Sequence, residues 1–74
     1  MELEKLKAIA AGILGLSPAE ISETADFSEV YGADSLEVFR IVTAIEEEFE
    51  AEFPEETARG IRSVRDAAKA LASL

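Results

Sequence analysis

Residues 32–49, Gly32-Ala33-Asp34-Ser35-Leu36-Glu37-Val38-Phe39-Arg40-Ile41-Val42-Thr43-Ala44-Ile45-Glu46-Glu47-Glu48-Phe49, decide the fold, because their apolar side chains recur with the period of an α-helix. At about 100° per residue, Val38, Ile41, Val42, Ile45 and Phe49 form one stripe. Leu36, Arg40, Thr43 and Glu47 fall on the opposite face, with Phe39 and Ala44 on the flanks. Asp34 reads as the N-cap and Glu37, three residues on, completes a capping box. Ser35 therefore takes the first helical position, and the helix is expected to run to about Glu50. A hydroxyl there is exposed and sits among backbone N–H groups that have no intrahelical partner, at the positive end of the helix dipole. A phosphoester built on Ser35 would be held by those donors, which makes this serine a candidate for modification. Taken in isolation, Gly32 to Leu36 read equally as an ordinary helix start with a first-turn serine, and context has to decide.

The helical period continues through the rest of the chain and no window alternates cleanly, so the fold class is all-α. The first helix covers about residues 2–14, with Leu3, Leu6, Ala10 and Ile13 at helical spacing, and ends in the Gly12/Gly15 region. Ser17-Pro18-Ala19-Glu20 reads as a capping box with proline at the first helical position, a short turn inside a connection that runs to Ala33. That connection is too long to be structureless, so Ile21, Phe27, Val30 and Tyr31 are expected to anchor it to the core. Pro54 starts a short third helix over about Glu55 to Arg59, stopped by Gly60. Ser63 and Asp66 form another capping box that opens a fourth helix through Ala72, with Val64, Ala67, Ala68 and Leu71 facing inward. The expected architecture is a four-helix bundle with a short third helix and a long loop between the first and second helices, one domain over residues 1–74.

Composition narrows the function. The 74 residues include no Cys and no His, so there is no disulfide, no ordinary zinc site and no side chain titrating unperturbed near neutrality. Catalysis of its own is not expected, and any thiol chemistry has to come from an attached group. The net charge of −9 argues against nucleic acid and anionic lipid as partners, since both require a basic face. Residues 20–57 hold thirteen carboxylates against the single Arg40, so the acidity belongs to one middle segment. By itself such a run is an ordinary solvated surface; the serine at its head makes it a candidate docking face for basic partners. No Asp-x-Asp-x-Asp-Gly loop with a terminal glutamate is present, so no metal site is expected. The apolar run Ala8–Leu16 is preceded by Glu2 and Glu4 and keeps helical spacing, which fits a core helix rather than a signal peptide. Nothing approaches the ~20 apolar residues that span a bilayer, and a cytoplasmic monomer is expected.

Gly32-Ala33-Asp34-Ser35-Leu36, followed by Ala44-Ile45-Glu46-Glu47-Glu48-Phe49 and supported by Phe27, Phe53-Pro54 and Ser63-Val64, resembles the small freestanding acyl carrier proteins of dissociated, type II fatty acid synthesis. The resemblance runs nearly end to end. It implies that Ser35 carries a covalent 4′-phosphopantetheine arm derived from coenzyme A, that acyl groups ride on its sulfur as thioesters, and that the chain is not an enzyme. It further implies that Asp34 and Leu36 flank the modified serine for the phosphopantetheinyl transferase. On the same basis Glu37, Arg40, Thr43, Glu46, Glu47 and Glu55 stand at docking positions for acyl-transferring and chain-elongating enzymes with basic surfaces.

Three positions depart from the family pattern. Arg40 stands where an acid is usual, Thr43 where an apolar contact is common, and Val30-Tyr31 replaces Asp-Leu before the glycine. A cation in the middle of the acidic face suggests a specialised carrier whose partners differ from the general synthase, serving lipid A, polyketide, aminoacyl or another acyl pathway. Ala67, Ala68 and Ala70 make the fourth helix thin, which suggests extra room for cargo beside it. From a different class, an unmodified acidic helical adaptor that binds a basic groove is the remaining alternative.

Overall fold

The computed structural model describes residues 2–74 and is helical throughout, with no strand among them; Met1, part of the expected domain, lies outside. Helix α1 covers Glu2–Leu14, a 3₁₀ turn Pro18–Glu20, α2 Phe27–Tyr31, α3 Ser35–Phe49, α4 Glu55–Arg59 and α5 Val64–Ala72. α1, α3, α4 and α5 are the four expected helices. α2 is an addition inside the long connection.

α1 packs against both α3 and α5. Leu6, Ala10 and Ala11 of α1 meet Ile41, Val42 and Ile45 of α3 and Val64, Ala67 and Ala70 of α5 in one buried cluster. The inward spacing on each helix is that of an amphipathic stripe, and the burial of this apolar surface is the main force holding the bundle. α1 closes where Gly15 adopts the left-handed conformation at φ 74° and the Leu16 N–H donates to the Ala11 carbonyl at 2.9 Å. That backbone is strained for any residue with a Cβ, which accounts for glycine there.

The connection between α1 and α3 is folded down on the core. Ile21 and Phe27 are buried as expected, whereas Val30 is 60 % exposed and anchors nothing. Tyr31 anchors through its hydroxyl, which accepts from the Ser22 N–H at 2.7 Å and donates to the Glu20 carbonyl at 3.2 Å. Two backbone bonds tie the same segment to the entrance of α5: Phe27 N–H to the Arg62 carbonyl and Arg65 N–H to the Glu23 carbonyl, both 2.8 Å. The expected box at Ser63 is not reciprocal. Ser63 Oγ accepts from the Asp66 N–H at 3.1 Å, but the Asp66 carboxylate takes the Arg62 N–H at 3.0 Å instead of reaching back to Ser63.

Candidate functional site

Three residues turn the chain from α2 into α3 and thereby place Ser35. Gly32 ends α2 in the left-handed conformation, φ 72°, with its N–H on the Ser28 carbonyl at 3.0 Å. Space is not what demands glycine, since a Cβ there would meet nothing within 4 Å; the backbone angle is. Ala33 is buried and donates its N–H to the Phe27 carbonyl at 3.1 Å. Asp34 then caps α3: its carboxylate accepts the Glu37 N–H at 2.8 Å, and the Glu37 carboxylate accepts the Asp34 N–H at 3.2 Å. The capping box read from the sequence is thus formed, and Ser35 is the first residue of α3 with an exposed side chain.

The box leaves two donors over. Among the described residues the N–H groups of Ser35 and Leu36 have no acceptor, while those of Glu37 and Val38 are bonded to Asp34. Beside them opens a cleft of about 690 Å³ between α2, α3 and α4. Its floor is apolar, built from the buried Phe27, Val42 and Ile61 with the half-buried Val38, and Ser35 and Phe39 stand at its rim. An exposed hydroxyl, two free N–H donors at a helix N-terminus and an adjoining apolar cleft suit a phosphodiester carrying an apolar cargo. No lining residue of this cleft comes from α5. Of the small side chains expected to make room there, Ala67 and Ala70 are buried in the core and Ala68 is half-buried against it, as close packing favours.

The six positions expected to dock partners divide. Glu37 is occupied by the cap, Glu46 accepts the Phe53 N–H at 2.8 Å, and Glu55 is paired with Arg59 at 2.6 Å. Thr43 is half-buried in the cleft wall. Glu47 and Arg40 are exposed, and neither has an ion-pair partner among the described residues. Leu36, beside the serine, is 63 % exposed.

Two features were not anticipated. Phe39 is 65 % exposed at the cleft rim, although its place about 110° from the centre of the buried stripe was a readable sign. Asp26 caps α2, accepting the Ser28 N–H at 2.8 Å and the Glu29 N–H at 3.0 Å, with Arg62 at 3.8 Å. Glu23 lies apart from the cleft; a hydrogen bond from Arg65, helped by the charges of Arg65 and Lys7, holds its carboxyl below the usual range despite some desolvation.

Against known proteins, a family model described as "Phosphopantetheine attachment site" matches residues 4–71. Among solved structures, the chain is similar to a protein assigned as an acyl carrier protein from Mycobacterium tuberculosis. The TM-score is 0.87 at 26% identity, over 99% of this chain and 97% of that one.

Proposed function

The chain belongs to the phosphopantetheine-attachment family, whose members are carriers rather than catalysts, and from that premise we propose that Ser35 is its attachment residue and that it carries acyl intermediates of fatty acid biosynthesis. The observation that supports this reading is the exposed Ser35 hydroxyl set between two free N–H donors and an apolar cleft.

In loading, Ser35 Oγ forms a bond to the phosphorus of coenzyme A that bears the pantetheine. The P–O bond to the nucleotide half breaks, adenosine 3′,5′-bisphosphate leaves, and the hydroxyl proton passes to a base. We assign that base to the phosphopantetheinyl transferase, since this chain has no His or Cys to supply it. When attached, the arm supplies the thiol that this Cys-free chain lacks, and acyl groups ride on it as thioesters. The Ser35 and Leu36 N–H groups, which have no acceptor in the fold, would hold the phosphate of the arm, and the helix dipole would favour its charge. Phe27, Val38, Val42 and Ile61 offer apolar wall that shields a cargo from water.

Glu47, Glu50 and Glu52 supply the negative field that steers basic enzyme surfaces to the carrier, giving fast and salt-sensitive encounters suited to a shuttle. The reading includes a cytoplasmic monomer. The net charge of −9 and the absence, among the described residues, of a helix long and apolar enough to cross a membrane accord with it. A second reading, a carrier dedicated to another acyl pathway, is favoured by one observation, the unpaired Arg40 on the docking face.

Reconstitution tests the choice. The loaded protein is given to the malonyl-transferring and condensing enzymes of type II fatty acid synthesis, and intact mass follows the cargo. Growth by two-carbon units supports the fatty acid role. A loaded protein that those enzymes neither charge nor extend contradicts it in favour of the dedicated carrier.

A further inference from the structure

The turn of α3 that carries Ser35 presents three side chains with no role inside the fold. Leu36 is 63 % and Phe39 65 % exposed, and Arg40 is exposed with no carboxylate within 4.0 Å among the described residues. They stand at i, i+3 and i+4 from one another, so they are neighbours on one patch of helix surface. The acids flanking Ser35 on α3 serve the cap, since Asp34 and Glu37 hold one another's N–H groups. On α3 the first acid without a partner is Glu47, twelve residues beyond Ser35 and so about 18 Å along the axis. Around the serine, therefore, an apolar pair and an unpaired cation stand among the capping carboxylates and Glu29 of the cleft, and on α3 the acids free of any partner begin at Glu47.

The enzyme that loads Ser35 is the one partner that must cover this patch, because its reacting atoms have to meet Ser35 Oγ. Leu36 and Phe39 are large apolar groups that gain from desolvation, the kind of side chain that anchors an interface. Arg40 lies between them and the acids, and burying its charge against an apolar or basic surface would be costly unless a carboxylate answers it.

We propose that the phosphopantetheinyl transferase serving this protein receives Leu36 and Phe39 in an apolar socket whose wall carries a carboxylate facing Arg40, while its basic surface meets the acids from Glu47 onward. The inference rests on Ser35 being the attachment residue. Arg40 thereby selects the loading enzyme by charge, and the acidic residues steer it.

The test is the rate of loading by the transferase from the same genome, read by intact mass, for wild type, Arg40→Lys, Arg40→Glu and Phe39→Ala. Arg40→Glu is expected to lower kcat/KM by about tenfold or more, chiefly through KM, with Arg40→Lys retaining most of the rate and Phe39→Ala intermediate. Reversing the facing carboxylate of the transferase to Lys restores loading of Arg40→Glu. Folding and competence are checked by prolonged loading with a broad-specificity transferase. Equal or faster loading of Arg40→Glu by the native transferase overturns the proposal while leaving Ser35 in place. Failure of both transferases to load folded wild type removes the Ser35 reading, and this proposal with it.

Discussion

The carboxylates of residues 20–37 and those of residues 47–56 carry the same charge in opposite positions. Glu20, Asp26, Asp34 and Glu37 lie at the starts of helical segments and accept backbone N–H groups, where a negative charge opposes the positive end of the dipole. Glu47, Glu50, Glu52 and Glu56 have no partner among the described residues. Glu47 and Glu50 sit at the C-terminal end of α3, whose last turn has no basic residue, beside carbonyls that are already negative. Glu50 also takes a left-handed backbone, φ 50°, that suits glycine. The first set builds the platform for Ser35. Of the second, Glu47 and Glu50 face the negative end of the α3 dipole and cost the fold some stability, whereas Glu56 lies in the first turn of α4, where its charge is favourable.

Replacing one acid from each set gives the largest contrast. Asp26→Ala removes two cap bonds and the Arg62 partner and is expected to cost about 1–2 kcal/mol in urea unfolding. Glu47→Ala should stay within about 0.5 kcal/mol of wild type. Equal losses from the two substitutions would erase the distinction.

A gain of stability sharpens the comparison from the other side. Glu50→Gly relieves the left-handed backbone and removes a charge from the wrong end of the dipole, so it should stabilise by about 1 kcal/mol. Thermal melts of the two proteins at the same ionic strength check it, and a loss of stability would show that the Glu50 side chain does more than occupy the turn.

The smallest effect is a pH dependence. Arg65 holds the Glu23 carboxyl below its usual value, so the pair contributes to folding above the ordinary glutamate value of about 4.3 and loses that contribution as pH falls through the lower folded value. Arg65→Gln should therefore lower Tm near neutrality by a margin that shrinks below about pH 4. A margin unchanged down to pH 2 would mean that Arg65 acts through packing alone.

How much of this was legible in the sequence depended on the range of the interaction. The bounds of α1, α3, α4 and α5 and the cap at Asp34 arise from residues three or four apart, and periodicity with capping chemistry found them. α2 escaped because five residues are too few for a period; only Asp26 before it and Gly32 after it marked its ends. Which acids the fold itself holds escaped for a different reason. Glu46 reaches the Phe53 N–H only because the chain turns at Glu50, and no local pattern says whether a carboxylate faces a partner or its own backbone. Val30 was misjudged likewise, since its exposure follows from how the α2 turn lies on the core.

The central claim is that this fold presents Ser35 for attachment, and intact and peptide mass after incubation with coenzyme A and a broad-specificity phosphopantetheinyl transferase tests it most directly. The account predicts a gain of one phosphopantetheine on wild type, located on the peptide that contains Ser35, and none on Ser35→Ala. No gain on folded wild type, or a gain that persists in Ser35→Ala at another hydroxyl of the cleft such as Ser28, would contradict it.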